Sequence, residues 1–70
     1  MTIKQIKQAV NNGKNVYWSN TAYKVIKDNL GQYLIICTIN NHAIGLHGVK
    51  GSKYENVLNG EERDFFIKAR

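Results

Sequence analysis

Two histidines, one cysteine and a tight group of carboxylates are the side chains of this 70-residue chain best suited to chemistry. Cys37 beside an imidazole would make a thiolate nucleophile, and His42 with His47 could ligate a metal. On a strand, however, positions 42 and 47 fall on opposite faces, so they cannot grip one ion as a pair. Cys37 reaches either histidine only across neighbouring strands, and no third group is placed to orient the couple. Glu61, Glu62 and Asp64 could act as general acid and base only if desolvated and convergent. They follow the Asn59-Gly60 turn and flank Arg63, which reads as a solvated rim. Structural histidines and a core cysteine acting as a small hydrophobe are therefore expected. No residue is assigned to catalysis or to a metal, no cofactor is expected, and the chain is read as a non-enzyme.

Two binding patterns remain. Gly45, Gly48 and Gly51 lie around Lys50 and Lys53 with the composition of a phosphate-cradling loop. A Walker loop needs Gly-Lys-Ser/Thr between a strand and a helix, and neither is present. The spacing of Gly48 and Gly51 matches a KH clamp, but that clamp joins helices where this segment joins strands. Tyr17, Tyr23, Tyr33 and Tyr54 interleave with Lys14, Lys24, Lys27 and Lys53, a mixture used by single-strand nucleic-acid platforms and by protein interfaces alike. The candidate binding surface is thus Tyr17, Tyr23, Lys24, Lys27, Tyr33, Lys50, Lys53 and Tyr54.

The formal charge of +5 arises from ten Lys/Arg against five Asp/Glu. The basic residues are scattered, and eight of the ten are lysines rather than the arginines suited to bidentate phosphate contacts. A protein partner, or a second copy of the chain, is favoured over nucleic acid on that ground. A core this small leaves little room for a ligand pocket of about 300 Å³, so binding is expected on the exterior. The longest uninterrupted apolar run, Leu34 to Cys37, is far too short to cross a membrane. The first residues lack the hydrophobic block of a signal peptide. With a single cysteine, no internal disulfide can form, and a reduced, cytoplasmic protein is expected.

The elements that position these residues follow from spacing. Ile3, Ile6 and Val10, with Ala9, share one face at helical period, Thr2 can cap the start, and Asn12-Gly13 can end it. The pattern predicts a helix over about 2–12. Apolar runs at 16–18, 23–26 and 33–39, then 42–47, are joined by connections too short for parallel pairing, which predicts an antiparallel meander over about 15–47. Gln32 to Ile39 is apolar on both faces at its centre, as in a strand covered on both sides. A mobile glycine-rich loop is expected at 48–53, and a C-terminal hairpin at about 54–67 around Asn59-Gly60. The whole reads as one α+β domain, mainly β. Its N-terminal helix packs on a strongly bent antiparallel meander of about five or six short strands, a small SH3-like or partly open barrel. The expected core is Val16, Trp18, Leu34, Ile36, Ile44, Leu46 and Phe65, with Ile3, Ile6 and Val10 from the helix.

Val16-Tyr17-Trp18-Ser19-Asn20, Tyr23-Lys24-Val25-Ile26-Lys27-Asp28, Gly31-Gln32-Tyr33-Leu34-Ile35, Leu58-Asn59-Gly60-Glu61 and Asp64-Phe65-Phe66 together resemble small phage- and prophage-encoded proteins of no established activity. The resemblance spans most of the chain and rests on turn and core patterns, so it assigns no residue a role. It implies a setting: a short accessory product of a mobile element in a bacterial cytoplasm, acting by binding a host or phage component. The structural expectation has a direct check. Trp18→Ala should cost about 3–5 kcal/mol and unfold most of the population, measured by the loss of dispersion in an amide NMR spectrum.

Overall fold

In the computed structural model, which describes residues 1–68, α1 (Ile3–Asn11) precedes β1 (Val16–Trp18), β2 (Asn20–Lys27), β3 (Tyr33–Cys37), β4 (Ala43–Gly45) and β5 (Phe65–Ile67). The helix starts in a capping box. The Thr2 hydroxyl accepts from the Gln5 amide at 3.1 Å, and Gln5 Oε1 accepts from the Thr2 amide at 2.9 Å. It stops where Gly13 takes φ +77°, as the Asn12-Gly13 pair predicts. No acidic residue in the first turn offsets the dipole. Ile6 and Ala9, both buried against the sheet, hold the helix in place.

The strands form one antiparallel sheet in the order β4-β3-β2-β1-β5. The fold is therefore α+β and mainly β, with the sheet open and not closed into a barrel. β5 returns to pair with β1, leaving β4 and β5 at opposite edges with no strand joining them.

Ile6, Ala9, Val16, Val25, Ile35, Leu46 and Phe65 form the core. The expected β3 contributors, Leu34 and Ile36, are instead half-buried on the far face, and Ile35 lies inside opposite Val25. Every position from 34 to 37 is apolar, so alternation within β3 carries no information about which face is buried. The neighbour decides: Lys24 on β2 turns away from the helix, which sends Val25, and with it Ile35, inward. Ile44 faces the same side as Ile35 but is 52% exposed, because β4 is an edge strand that the helix does not reach. Ile3 and Val10 are half-buried at the margins of the helical stripe.

The predicted hairpin across Asn59-Gly60 does not form. Tyr54–Asn56 lie in turns, Leu58 bridges to His47, and β5 pairs with β1. The Asn-Gly pair serves the edge and the core instead. The Asn59 amide donates to Leu46 O at 2.9 Å, and its side-chain amide donates to Gly45 O at 2.8 Å. A Cβ on Gly60, whose φ is +148°, would lie 2.6 Å from Trp18 Nε1, so only glycine passes beneath the indole. Trp18 packs edge-on to Tyr23 at 5.3 Å and beside Phe65 at 6.4 Å, half-buried at the end of the core.

The glycine-rich loop runs further than expected. The Gly48 amide donates to Val57 O, and internal bonds at Ser52, Glu55 and Val57 make 48–57 a compact Ω-type loop. Gly48 is required at its base, since a Cβ there would sit 2.0 Å from Tyr54 O. The altered parity of β3 is measurable by urea denaturation. Ile35→Ala should cost about 2–5 kcal/mol, whereas Ile36→Ala, on the open face, should cost less than about 1.5 kcal/mol.

Candidate interaction faces

The eight aromatic and lysine positions singled out from the sequence fall into three groups. Tyr17 and Lys24 sit opposite each other across β1 and β2 on the sheet face away from the helix. Tyr23, Lys27 and Tyr33 lie on the helix side. Lys50, Lys53 and Tyr54 belong to the 48–57 loop, where Lys53 Nζ stands 5.0 Å from the Tyr54 ring centroid and Tyr54 is 55% exposed.

The helix-side tyrosines are committed to the fold. Tyr23 packs on Trp18. The Tyr33 hydroxyl donates to Asn11 Oδ1 at 2.8 Å, while Lys7 Nζ and Lys27 Nζ approach its ring at 5.0 and 5.6 Å. Lys7 and Asn11 come from α1 and Lys27 from β2, so Tyr33 straps the helix to the sheet with its ring already taken by cations.

A face that the sequence reasoning did not single out stands on the other side. Tyr17 and Phe66 lie side by side with ring centroids 5.8 Å apart. Next to them the ladder sets Lys24 opposite Ile36, Ile26 opposite Leu34, Ile36 opposite Ala43 and Leu34 opposite Gly45. Tyr17, Lys24, Ile26, Leu34, Ile36 and Phe66 are all half-buried. Among the described residues no element packs over them: β3, expected to be covered on both sides, is covered on one. Among the described residues Lys24 has no ion-pair partner; Arg63 pairs with Glu61 at 2.7 Å, both exposed. The double-sided apolar run in β3 was the available signal, and only the missing cover turns it into a surface.

The chemically capable residues stay apart. His42 is exposed, its carbonyl accepting from the Cys37 amide at 2.7 Å. The half-buried His47 sets Nδ1 2.8 Å from Gly48 O. Cys37 is half-buried at the end of β3 and outside the core, contrary to expectation, because the strand runs beyond the helix there. Among the described residues no three of His, Cys, Asp and Glu stand close enough to hold a metal ion. Two open grooves flank the helix. One, of about 700 Å³, lies between α1 and residues 56–62, with Lys4, Lys7, Asn11 and Glu62 on its walls. The other, of about 510 Å³, runs between α1 and β5. No helix among the described residues is long and apolar enough to cross a membrane.

Compared with known proteins, the chain matches no protein-family model, no curated protein and no solved structure. The strapping role of Tyr33 is checked by Tyr33→Phe, which keeps the ring and loses the hydroxyl. Stability should fall by about 1 kcal/mol in urea titration, with the circular dichroism spectrum unchanged.

Proposed function

We propose that this chain is a small non-enzymatic interaction protein, a phage or prophage accessory product of the bacterial cytoplasm, that binds a protein partner through the uncovered face of its sheet. The observation that carries this reading is the continuity of Tyr17, Phe66, Lys24, Ile26, Leu34 and Ile36 across four strands, with no covering layer among the described residues. An apolar patch of this kind on so small a protein is the usual mark of an interface. Tyrosine and phenylalanine supply large contact areas at low entropic cost. Lys24 at the centre of the patch selects the partner's chemistry: an apolar surface carrying a carboxylate where the ammonium would otherwise be stranded. Nucleic acid fits this face less well, since a single lysine neutralises little phosphate and the Tyr33 ring is engaged by Lys7 and Lys27.

The experiment is affinity capture from a bacterial lysate with matched variants. The native chain should retain a protein that Ile36→Asp and Lys24→Glu each release, with affinity lowered at least about tenfold, while Tyr54→Ala on the distant loop retains it. Capture that is indifferent to Ile36→Asp and Lys24→Glu rejects the face. Recovery of single-stranded nucleic acid, with a log–log salt slope near −0.7 per phosphate neutralised, would establish the competing binding mode.

A further inference from the structure

The two edges of the sheet are treated differently by the chain. The β4 edge is occupied at its end: Asn59 bonds the carbonyls of Gly45 and Leu46, and Leu58 bridges to His47. Ala43 turns its backbone groups outward without such a cap among the described residues. The β5 edge is open only from the Phe65 carbonyl onward, because a 3-10 turn at Glu62–Asp64 closes its start. Along β5 the groups that face β1 belong to Asp64, Phe66 and Lys68. The Ser19 amide donates to Asp64 O at 2.8 Å, Phe66 sits opposite Tyr17, and the Lys68 amide donates to Asn15 O at 3.1 Å. By alternation, Phe65 and Ile67 turn their backbone groups outward. The Phe65 amide is used by Glu62 O. The Phe65 carbonyl and the Ile67 amide have no partner among the described residues. Ile67 is also 47% exposed, on a strand with no charge between Asp64 and Lys68.

An open edge is a template for another strand, and the sequence of this one is complementary to itself. When Asp64-Phe65-Phe66-Ile67-Lys68 is laid antiparallel to a copy about Phe66, Asp64 falls opposite Lys68 of the other chain, Phe65 opposite Ile67, and Phe66 opposite Phe66. The hydrogen-bond phase agrees with that register. Phe66 turns its backbone toward β1, so the central pair is a non-hydrogen-bonded one, with Cα atoms about 4.5 Å apart and side chains close. The flanking pairs fall at hydrogen-bonded positions and make one bond each, from the Ile67 amide to the unused Phe65 carbonyl of the other copy, since the Phe65 amide already donates to Glu62 O. We propose that two copies of this chain join edge to edge through β5, antiparallel about a two-fold axis at Phe66, making one continuous sheet.

The arrangement also accounts for the exposed apolar groups near the edge. On the open face, Tyr17 and Phe66 of each copy would merge into one aromatic cluster. On the helix side, the exposed Ile67 of each copy would lie against the second copy, beside the open groove between α1 and β5. Two ion pairs between Asp64 and Lys68 would close the ends, each with Cβ atoms about 5 Å apart. The pairing shares Tyr17 and Phe66 with the face proposed for docking, but it uses the backbone of an edge strand and leaves Lys24, Leu34 and Ile36 uncovered, so variants at Ile36 and Ile67 tell the two contacts apart.

Sedimentation equilibrium of the full chain tests it, with concentrations raised to the order of 1 mM so that a small interface is populated. A reversible dimer is expected. Ile67→Pro deletes the outward amide while leaving every bond to β1 in place, and proline is tolerated on an edge strand whose N–H faces outward, so this variant should be a folded monomer. Asp64→Lys and Lys68→Asp should each weaken the dimer about tenfold, and the two together in one chain should restore it. That rescue depends on register and holds even if Ile67→Pro fails to fold. A native chain that stays monomeric throughout overturns the proposal, as does a dimer that survives Ile67→Pro or shows no charge-swap rescue. A dimer lost in Ile36→Asp but kept in Ile67→Pro would place the contact on the open face and equally overturn pairing through β5.

Discussion

One short helix must cover a sheet wider than itself, and most of the structure follows from that shortfall. α1 has nine residues and so is about 13 Å long, with a body about 10 Å across. Five strands about 4.8 Å apart span nearly 20 Å, and they have two faces. The helix therefore buries the centre of one face, where Ile6 and Ala9 meet Val16, Val25 and Ile35. Whatever lies outside its footprint stays partly wet. Ile44 is exposed on the very face that buries Ile35, one strand further out. The opposite face keeps its apolar residues with no element above them among the described residues.

The chain compensates at the ends of the core rather than over its faces. Trp18, Tyr23 and Phe65 close one end as an edge-to-face and tilted aromatic group, and the 57–60 segment passes beside it. That segment does two jobs with two adjacent residues. Asn59 satisfies carbonyls of the 45–46 edge, and Gly60 lets the backbone slide under the indole where any side chain would collide. At the other side, Tyr33 ties sheet to helix through its hydroxyl and two lysines. These fixings allow so small a domain to keep one arrangement although its core is only one layer deep.

The surfaces left over belong to different elements and suit different contacts. The open face presents side chains: aromatics, aliphatics and one central lysine. The β5 edge presents backbone: a carbonyl and an amide without a partner among the described residues. Side-chain faces are specific because pockets and charges must match, whereas edges bind through the ladder and gain specificity from register. The enzyme-like residues are dispersed among these regions, with His42 and Cys37 at the far end of the sheet, His47 at the base of the loop and the carboxylates before β5.

Much of this was written plainly in the residues. The helix from Thr2 to Gly13 was legible because caps and period agree, and the meander because its connections are too short for anything but antiparallel neighbours. The parity of β3 was not legible, since a strand apolar at every central position offers no alternation to read; pairing with β2 decided it. The Asn59-Gly60 turn misled because its local chemistry suits a hairpin as well as it suits an edge cap under a tryptophan, and only the long-range placement of Trp18 separates the two. The candidate face is half-visible in the residues: Tyr17 and Lys24 stand out by type, Leu34 and Ile36 read as core, and nothing local marks Ile26 or Phe66. Local sequence thus determined α1 and the strands of the meander, though not the turns at 54–56, because propensity and spacing act over a few residues. Which face is dry, which edge is open and what remains uncovered were decided by the tertiary structure, because burial depends on where the one helix lands.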